Sequence, residues 1–222
     1  MTSPPRIKDR QLEVLYAGTS QRVAFVDEAY KLAKGGRNFY ILSAVIVDVQ
    51  DVDGVRWDLQ QRVPDGYWHT TEALKSDAGQ AQALSLLDYL ATSGATLLCV
   101  IEADLAQFSD NLEMARRHCF EGLAQELIKG HDVELIVYER RRAGVEEDND
   151  RKTASLLQNY YDSDGLKFHG GTPSSEPLLW APDLVAGALR RRSALRDLQW
   201  FEPIKTKTRV VRASDLSLVK LE

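Results

Sequence analysis

The feature that most restricts the fold of this chain is a short apolar run that ends abruptly in two acidic residues. Residues 22–27 read Arg-Val-Ala-Phe-Val-Asp, and Glu28 follows directly. Short apolar runs bounded by polar residues are typical of buried strands. We therefore expect a strand of the protein interior whose tip carries the carboxylates of Asp27 and Glu28.

A second strand is predicted at 39–47, where the sequence FYILSAVIV is rich in β-branched and aromatic residues. The pair Gly35-Gly36 lies between the two apolar runs and can supply a turn. The two strands are therefore predicted to form a hairpin.

The rest of the chain alternates between helical and strand patterns. Helices are predicted at 51–63, at 80–91 and at 112–128, the last with Lys129-Gly130 as its C-cap. A loop at 146–150 leads into a further helix that extends through Tyr160, and a last helix is predicted at 178–192, with Pro182 as a point where it can break. Strands are predicted at 95–101, at 133–138 and, at a sheet edge, at 166–168, while the tail 209–221 either adds a strand or wraps the surface. This order fits an α/β fold with one mixed sheet flanked by helices on both faces. The predicted division is a polar N-terminal segment at 1–20 and a single domain at 21–222, with a tail extension from about residue 200.

Composition excludes several classes of protein. The chain has 222 residues, 44% of them apolar, and 28 Lys and Arg against 33 Asp and Glu give a net charge of −5. This composition predicts a folded globular protein. Cys99 and Cys119 have no zinc-type spacing, and two cysteines are too few for a disulfide framework, which favours a reducing cytoplasm. The sequence contains no apolar stretch long enough for export or membrane insertion, so neither is expected.

Acidic residues recur where regular structure is predicted to stop. They are Asp27 and Glu28, Glu72 in an irregular segment, Glu139 after the strand at 133–138, and Asp183 at the start of the last helix. If the strands at 22–27 and 133–138 are parallel neighbours, Asp27 and Glu139 share a cleft at the carboxyl edge of the sheet. A helix packed across that edge would add Asp183. The alternative is that these are solvated carboxylates that fall at strand ends by chance.

A cluster of carboxylates raises the pKa of each member, and a divalent cation relieves the repulsion. Oxygen ligands select Mg²⁺ or Mn²⁺ over softer metals, and two such ions can promote phosphodiester hydrolysis. We therefore expect Asp27, Glu139 and Asp183 to be the metal ligands. Glu28 and Glu72 are predicted to be auxiliary ligands, or a general base that positions the attacking water.

The same residues resemble those of a broad, mostly bacterial and phage family catalogued as domain of unknown function 3800. Residues 23–28 followed by 39–47 resemble its opening, an apolar strand ending in Asp-Glu-Ser and then an aromatic-led strand. Residues 136–141 resemble its later strand, which ends in an acidic residue and Arg, and residues 178–188 resemble its closing helix. The segment 69–72 matches less specifically. The resemblance implies a ribonuclease-H-like fold and a nuclease-like role in phage or mobile-element biology.

The chain departs from the family pattern at three positions. Ala29 replaces a frequent Ser, Glu139 replaces the usual Asp, and Pro182 directly precedes Asp183. Proline is tolerated in a first helical turn, and the helix dipole there would favour an ionised Asp183. Glu139 reaches one methylene further than Asp, which could change the geometry of a metal site.

Substrate contacts are predicted for His69, Arg140 and Arg141. For the two arginines, the reason is that guanidinium groups near the cleft could bind phosphates. The alternatives are a surface histidine and a solvated arginine run paired with the acidic residues at 146–148. The cluster Arg190–Arg192 lies near a helix C-terminus, where the dipole favours cations in any case, so both this explanation and a nucleic-acid contact stay open. Phosphate-loop, dinucleotide-binding and nucleophile-elbow motifs do not occur in the sequence.

The leading hypothesis is a cytoplasmic nuclease that uses Mg²⁺ or Mn²⁺ to hydrolyse a phosphodiester of nucleic acid. The rival is a noncatalytic module of the same fold that binds a protein or nucleic acid. The sequence leaves open the substrate, a protein partner and the oligomeric state.

Overall fold

The computed structural model describes residues 9–32, 38–108, 111–161 and 165–221. Its centre is a six-stranded sheet with the strand order β5-β4-β1-β2-β3-β6. The strands are β1 (Arg22–Lys31), β2 (Phe39–Asp48), β3 (Thr96–Glu102), β4 (Val133–Glu139), β5 (Lys167–Gly171) and β6 (Thr208–Arg212). Strand β2 runs antiparallel to β1 and β3, and the other neighbouring pairs are parallel. The sheet is therefore mixed, as the sequence predicts.

Helices pack on both faces of the sheet. In the described part of the chain they are α1 (Arg10–Ala17), α2 (Val52–Arg62), α3 (Thr70–Ala73), α4 (Asp77–Thr92), α5 (Leu112–His131), α6 (Val145–Tyr160) and α7 (Trp180–Leu195). Buried residues of α1, α2, α4 and α7 share one hydrophobic core, and those of α5 and α6 share another. We call these two sides of the sheet the α7 face and the α5 face. The predicted α/β architecture with helices on both faces is confirmed.

The pleat of β1 divides its side chains between these two cores. Val23 and Phe25 belong to the core on the α7 face, and Ala24 and Val26 belong to the core on the α5 face. Consecutive side chains of a strand point to opposite faces. The alternation therefore directs Asp27 to the α7 face and Glu28 to the α5 face.

Several predicted boundaries need correction. Strand β1 continues to Lys31, so Asp27 and Glu28 lie within it rather than after it. Helix α5 ends at His131, one residue past the predicted glycine cap, because Asp132 adopts the left-handed conformation that ends it. The acidic residues at 146–148 lie in the first turn of α6, where the helix dipole favours negative charge, rather than in a loop.

Helix α7 does not break at Pro182. The helix begins at Trp180, which places Pro182 in its first turn, where the missing N–H group has no partner to lose. A short 3₁₀ helix at Pro177–Leu179 leads into it, and Glu176 caps that helix through a hydrogen bond from the Leu178 N–H. Asp183 therefore lies one turn into a continuous helix that crosses the sheet.

The N-terminal segment contains a helix that its polar sequence does not indicate. Asp9 caps α1 by accepting hydrogen bonds from the backbone N–H groups of Gln11 and Leu12, and Leu12 is completely buried in the core of the α7 face. The glycine pair predicted to turn between β1 and β2 lies outside the described residues. Within the described part of the chain, no helix combines the length and apolarity that a membrane crossing requires. The cytoplasmic location stays a prediction.

Candidate metal and nucleic-acid site

Asp27 and Glu139 lie side by side at the point where the parallel pairing of β1 with β4 ends. The pairing of β1 with β4 places Val26 opposite Tyr138, so the next residue of each strand is Asp27 and Glu139. Leu135 and Val137 belong to the core of the α7 face, and the alternation of β4 therefore puts Glu139 on that face with Asp27. The sequence-based condition that these strands are parallel neighbours is met.

Helix α7 brings Asp183 to the same face. The hydroxyl of Ser43 on β2 donates a hydrogen bond of 2.7 Å to the carbonyl oxygen of Pro182, and Ser43 is the cross-strand neighbour of Asp27. Ser43 is completely buried, so this bond ties the first turn of α7 to the sheet beside Asp27. The backbone N–H of Thr70 donates a second bond, of 2.8 Å, to Oδ2 of Asp183.

The segment that carries Thr70 packs closely against α7. The indole N–H of Trp68 donates to Oγ1 of Thr70 at 3.0 Å, and both residues are buried. A Cβ at Gly187, one turn after Asp183, would lie only 2.8 Å from Cγ2 of Thr70. Because Gly187 has no side chain, the segment with Thr70 can approach α7 closely enough for the Thr70 N–H to donate its hydrogen bond to Asp183.

The three carboxylates are close enough to change one another's protonation. Burial raises the pKa of Asp27 well above its ordinary value, and the charges of Glu28, Asp183 and Glu139 raise it further. Burial, Asp183 and Glu28 raise the pKa of Glu139 to about 7. Burial also raises the pKa of Asp183, although the hydrogen bonds from Thr70 oppose the shift. The fully ionised cluster is consequently unfavourable without a counter-ion.

The carboxylates open into a cavity of about 490 Å³. The lining residues that bear charge or titrate are Asp27, Glu28, Tyr30, His69, Glu139, Asp183 and Arg190. His69 is exposed at the rim, where the sequence predicts a substrate contact. The cavity thus combines a carboxylate cluster with solvent access.

Glu28 and Glu72 occupy different positions from the three clustered carboxylates. Glu28 points to the α5 face and forms an ion pair with Arg116, although part of it also lines the cavity. Glu72 lies on α3, is exposed, accepts a hydrogen bond of 3.3 Å from the hydroxyl of Tyr67 and does not line the cavity. Their predicted roles as auxiliary ligands or as a general base therefore find less geometric support than those of Asp27, Glu139 and Asp183.

Arg140 and Arg141 do not line the cavity. Arg141 donates hydrogen bonds to Asp150 at 2.8 Å and to Glu113 at 2.9 Å. Arg140 lies 3.9 Å from a carboxylate oxygen of Glu147. The cavity has Arg190 instead, for which the sequence left the helix dipole and a nucleic-acid contact as alternatives. The available signal was the spacing of seven residues, or about two helical turns, between Asp183 and Arg190.

The donor chemistry of Asp27, Glu139 and Asp183 fits a hard divalent cation such as Mg²⁺ or Mn²⁺. Over the described residues, however, no three His, Cys, Asp or Glu side chains converge closely enough to form a ready coordination shell. One oxygen of Asp183 is also occupied by the Thr70 N–H. The donor set is present, but its side chains would have to rotate toward a shared ion.

Comparison with solved structures shows the fold. A chain in the structure of the PCNA:RNase HII complex from Archaeoglobus fulgidus matches with a TM-score of 0.54 and 15% identity, over 78% of this chain and 74% of that chain. Ribonuclease H2 from Pyrococcus horikoshii OT3 matches with a TM-score of 0.48 and 15% identity, over 79% of this chain and 74% of that chain. The first match and the sheet order show a ribonuclease-H-like fold. No family model and no curated protein matches, so the resemblance to domain of unknown function 3800 stays a prediction.

Proposed function

We propose that this protein is a metal-dependent nuclease that hydrolyses a phosphodiester bond of nucleic acid. The observation that carries the proposal is the convergence of Asp27, Glu139 and Asp183 from two neighbouring strands and a helix on one cavity. A stable surface rarely leaves three neighbouring carboxylates without a cation, whereas sites that bind metal ions require such an arrangement.

In this proposal, Asp27, Glu139 and Asp183 hold one or two Mg²⁺ or Mn²⁺ ions. The ions would supply an activated water and stabilise the leaving oxygen of the phosphodiester. The Thr70 N–H fixes the direction of Asp183, and the Ser43 hydroxyl fixes the helix that carries it. Because the pKa of Glu139 is about 7, metal binding near neutral pH should release a proton from this group.

Metal-dependent thermal stability tests the site directly. We expect Mg²⁺ or Mn²⁺ to raise the melting temperature of the wild type, because a ligand that binds only the native state stabilises it. Asp27→Asn and Asp183→Asn should each abolish the rise. Asp88→Asn is the matched control. It makes the same chemical change at an exposed residue of α4 that lies outside the cavity. A wild type without a metal response would contradict the proposal.

Cleavage provides the second test. In the presence of Mn²⁺ the wild type should cleave at least one of single-stranded DNA, double-stranded DNA, RNA and an RNA–DNA hybrid. The Asp27→Asn chain should be inactive on the same substrate, and the Asp88→Asn chain should be active. Undiminished cleavage by Asp27→Asn would point to a contaminant or to a different site.

A noncatalytic binding module is the second candidate function. It is favoured by the absence, over the described residues, of a ready coordination shell. On this alternative the chain binds nucleic acid or a protein, and neither Mg²⁺ nor Mn²⁺ changes its melting temperature. The metal titration therefore separates the two candidates before any substrate is known.

A further inference from the structure

Arg190 shares a helix face and a cavity with the carboxylate cluster. It follows Asp183 by seven residues on α7, a distance of about 10 Å along the helix axis. Gly187 lies between them on the same face and has no side chain to cover the surface. Asp183, Gly187 and Arg190 all line the cavity, so a ligand seated there could contact both charged residues at once.

The guanidinium group of Arg190 is fixed at one point. Its Nε donates a hydrogen bond of 2.9 Å to the carbonyl oxygen of Tyr30. Tyr30 lies on β1, three residues after Asp27, or about 10 Å along the strand. The helix and the strand thus both place the Arg190 anchor about 10 Å along the backbone from the residues that carry the carboxylates. Over the described residues, the two terminal nitrogens of Arg190 have no hydrogen-bond partner.

This arrangement differs from that of other arginines in the fold. Arg56 is paired with Glu176, Arg116 with Glu28 and Asp150, and Arg191 with Asp197. Arg190 lines a cavity together with four carboxylates and yet, over the described residues, forms no ion pair. Its free donors are therefore available to an anion that enters from outside the protein.

We propose that Arg190 binds a backbone phosphate of the nucleic acid next to the phosphodiester that reacts. The proposal rests on the proposed function, because it takes the carboxylate cluster as the place of reaction. A guanidinium fork is suited to two phosphate oxygens. Because Arg190 lies about two helical turns from Asp183 and is anchored to Tyr30, three residues beyond Asp27, we assign it to a flanking phosphate rather than to the reacting one. Arg190, and not Arg140 or Arg141, is then the phosphate-binding arginine of the site.

Binding measurements in the Asp27→Asn background test this role, because the probe is then protected from hydrolysis at the proposed site. The probes are fluorescein-labelled 20-nucleotide single-stranded DNA, double-stranded DNA, RNA and an RNA–DNA hybrid, and the readout is anisotropy across a range of salt concentrations. For the probe that binds best, Arg190→Gln should raise Kd about tenfold. It should also reduce the slope of log Kd against log salt by slightly less than one.

Two further variants sharpen the measurement. Arg190→Lys keeps the charge but loses the fork, so its affinity should fall between those of the parent and Arg190→Gln. Arg117→Gln removes one exposed positive charge on α5, away from the cavity, and should keep both the parent Kd and the parent slope. In a chain with native Asp27, Arg190→Gln should retain the metal-dependent rise in melting temperature.

The outcomes separate this inference from the proposed function. Unchanged affinity and slope in Arg190→Gln, with a wild type that cleaves in a metal-dependent manner, would overturn the role of Arg190 and leave the nuclease intact. Weakened binding in Arg190→Gln alone, with a wild type that neither binds metal nor cleaves, would support the phosphate contact and reject the nuclease. Equal losses in Arg190→Gln and Arg117→Gln, or no binding of any probe by the Asp27→Asn chain, would overturn the inference.

Discussion

Two adjacent residues of β1, Asp27 and Glu28, face environments of opposite electrostatic character. Glu28 points to the α5 face, where Arg116 forms ion pairs with it and with Asp150. Arg141 completes this group through hydrogen bonds to Asp150. Arg116 is only 3% exposed, and the carboxylates around it raise the pKa of its guanidinium well above the ordinary value. The charges on the α5 face are therefore neutralised within the protein.

The α7 face leaves its carboxylates without such partners. In addition to burial, the charge of Asp183 raises the pKa of both Asp27 and Glu139, and the charge of Glu139 raises that of Asp27. Over the described residues, none of the three forms an ion pair with Lys or Arg. Around these three carboxylates, neutral donors and close packing position the side chains instead, through Ser43, Thr70 and the open space at Gly187. The buried ion pair between Arg56 and Glu176 also lies on this face but involves none of the three.

The difference between the two faces shows how the same part of a sheet can contribute to stability on one face and to function on the other. Neutralised charges on the α5 face fix the end of β1 in place. Repelling charges on the α7 face cost stability, and such a cost is characteristic of sites that bind a ligand. The α5 face would then act as the rigid support of a site that forms on the other side of the same strand.

The largest expected effect comes from removing the central cation of the α5 face. Arg116→Met leaves the Glu28 carboxylate without its cationic partner and Asp150 with Arg141 alone, and losing one member of a buried ion pair costs about 3–5 kcal/mol. Urea denaturation should show this loss in the free energy of unfolding. Arg117→Gln, on the next residue, is exposed and should stay within about 0.5 kcal/mol of the wild type. Equal stability of the Arg116→Met chain and the wild type would remove the contrast between the faces.

The second prediction concerns pH dependence on the α7 face in the presence of a chelator. The pKa of Glu139 is raised from 4.5 to about 7 in the folded state, so the folded protein binds the proton more tightly than the unfolded chain. Stability from this group is present below about pH 4.5, falls as the pH rises toward 7, and stays low above it. We expect a loss of about 2 kcal/mol between pH 5 and pH 8, discounted for the partial exposure of the group.

Glu139→Gln is the control for this titration, because it keeps the shape of the side chain and removes the charge. The variant should show a flatter pH profile than the wild type and a higher melting temperature at pH 8. The difference between the two profiles isolates Glu139 from His131, whose pKa is lowered by burial. Parallel profiles for the two proteins would mean that the α7 face does not carry the predicted repulsion.

The sequence allowed the main strands and the approach of Asp27 to Glu139 to be predicted, because both depend on local apolar patterns and on the rule that parallel strands end at one edge. Strand alternation also contained the information that Asp27 and Glu28 face opposite sides, and that signal was not used. The pairing of Arg116 with Glu28 joins residues 88 positions apart, and the bond from Thr70 to Asp183 spans 113 positions. No local pattern indicates contacts of that kind, since they depend on how helices settle on the sheet.

The role assigned to Arg140 and Arg141 illustrates the same limit. Their position after a strand that ends in Glu139 suggested the cleft, but that argument ignored competing carboxylates on other elements. Glu113 on α5 and Asp150 on α6 bind Arg141 in the folded protein. Arg190 reaches the cavity because α7 crosses the sheet edge. Helical periodicity places Arg190 on the same face of α7 as Asp183. That Arg190 forms no ion pair over the described residues could be learned only from the three-dimensional structure.

The smallest predicted effect tests whether close packing, rather than ion pairing, organises the α7 face. Gly187→Ala would place a methyl group 2.8 Å from Cγ2 of buried Thr70, so the Thr70 side chain must shift, and we expect the hydrogen bond from its N–H to Asp183 to weaken as a result. We expect a loss of about 1–2 kcal/mol in unfolding free energy and a weaker rise of melting temperature with Mn²⁺. Thr70→Ser removes that Cγ2 and keeps the hydroxyl that accepts from Trp68, so the double variant should recover much of both losses. If Gly187→Ala alone keeps the full metal response, the contact between Thr70 and α7 does not position Asp183.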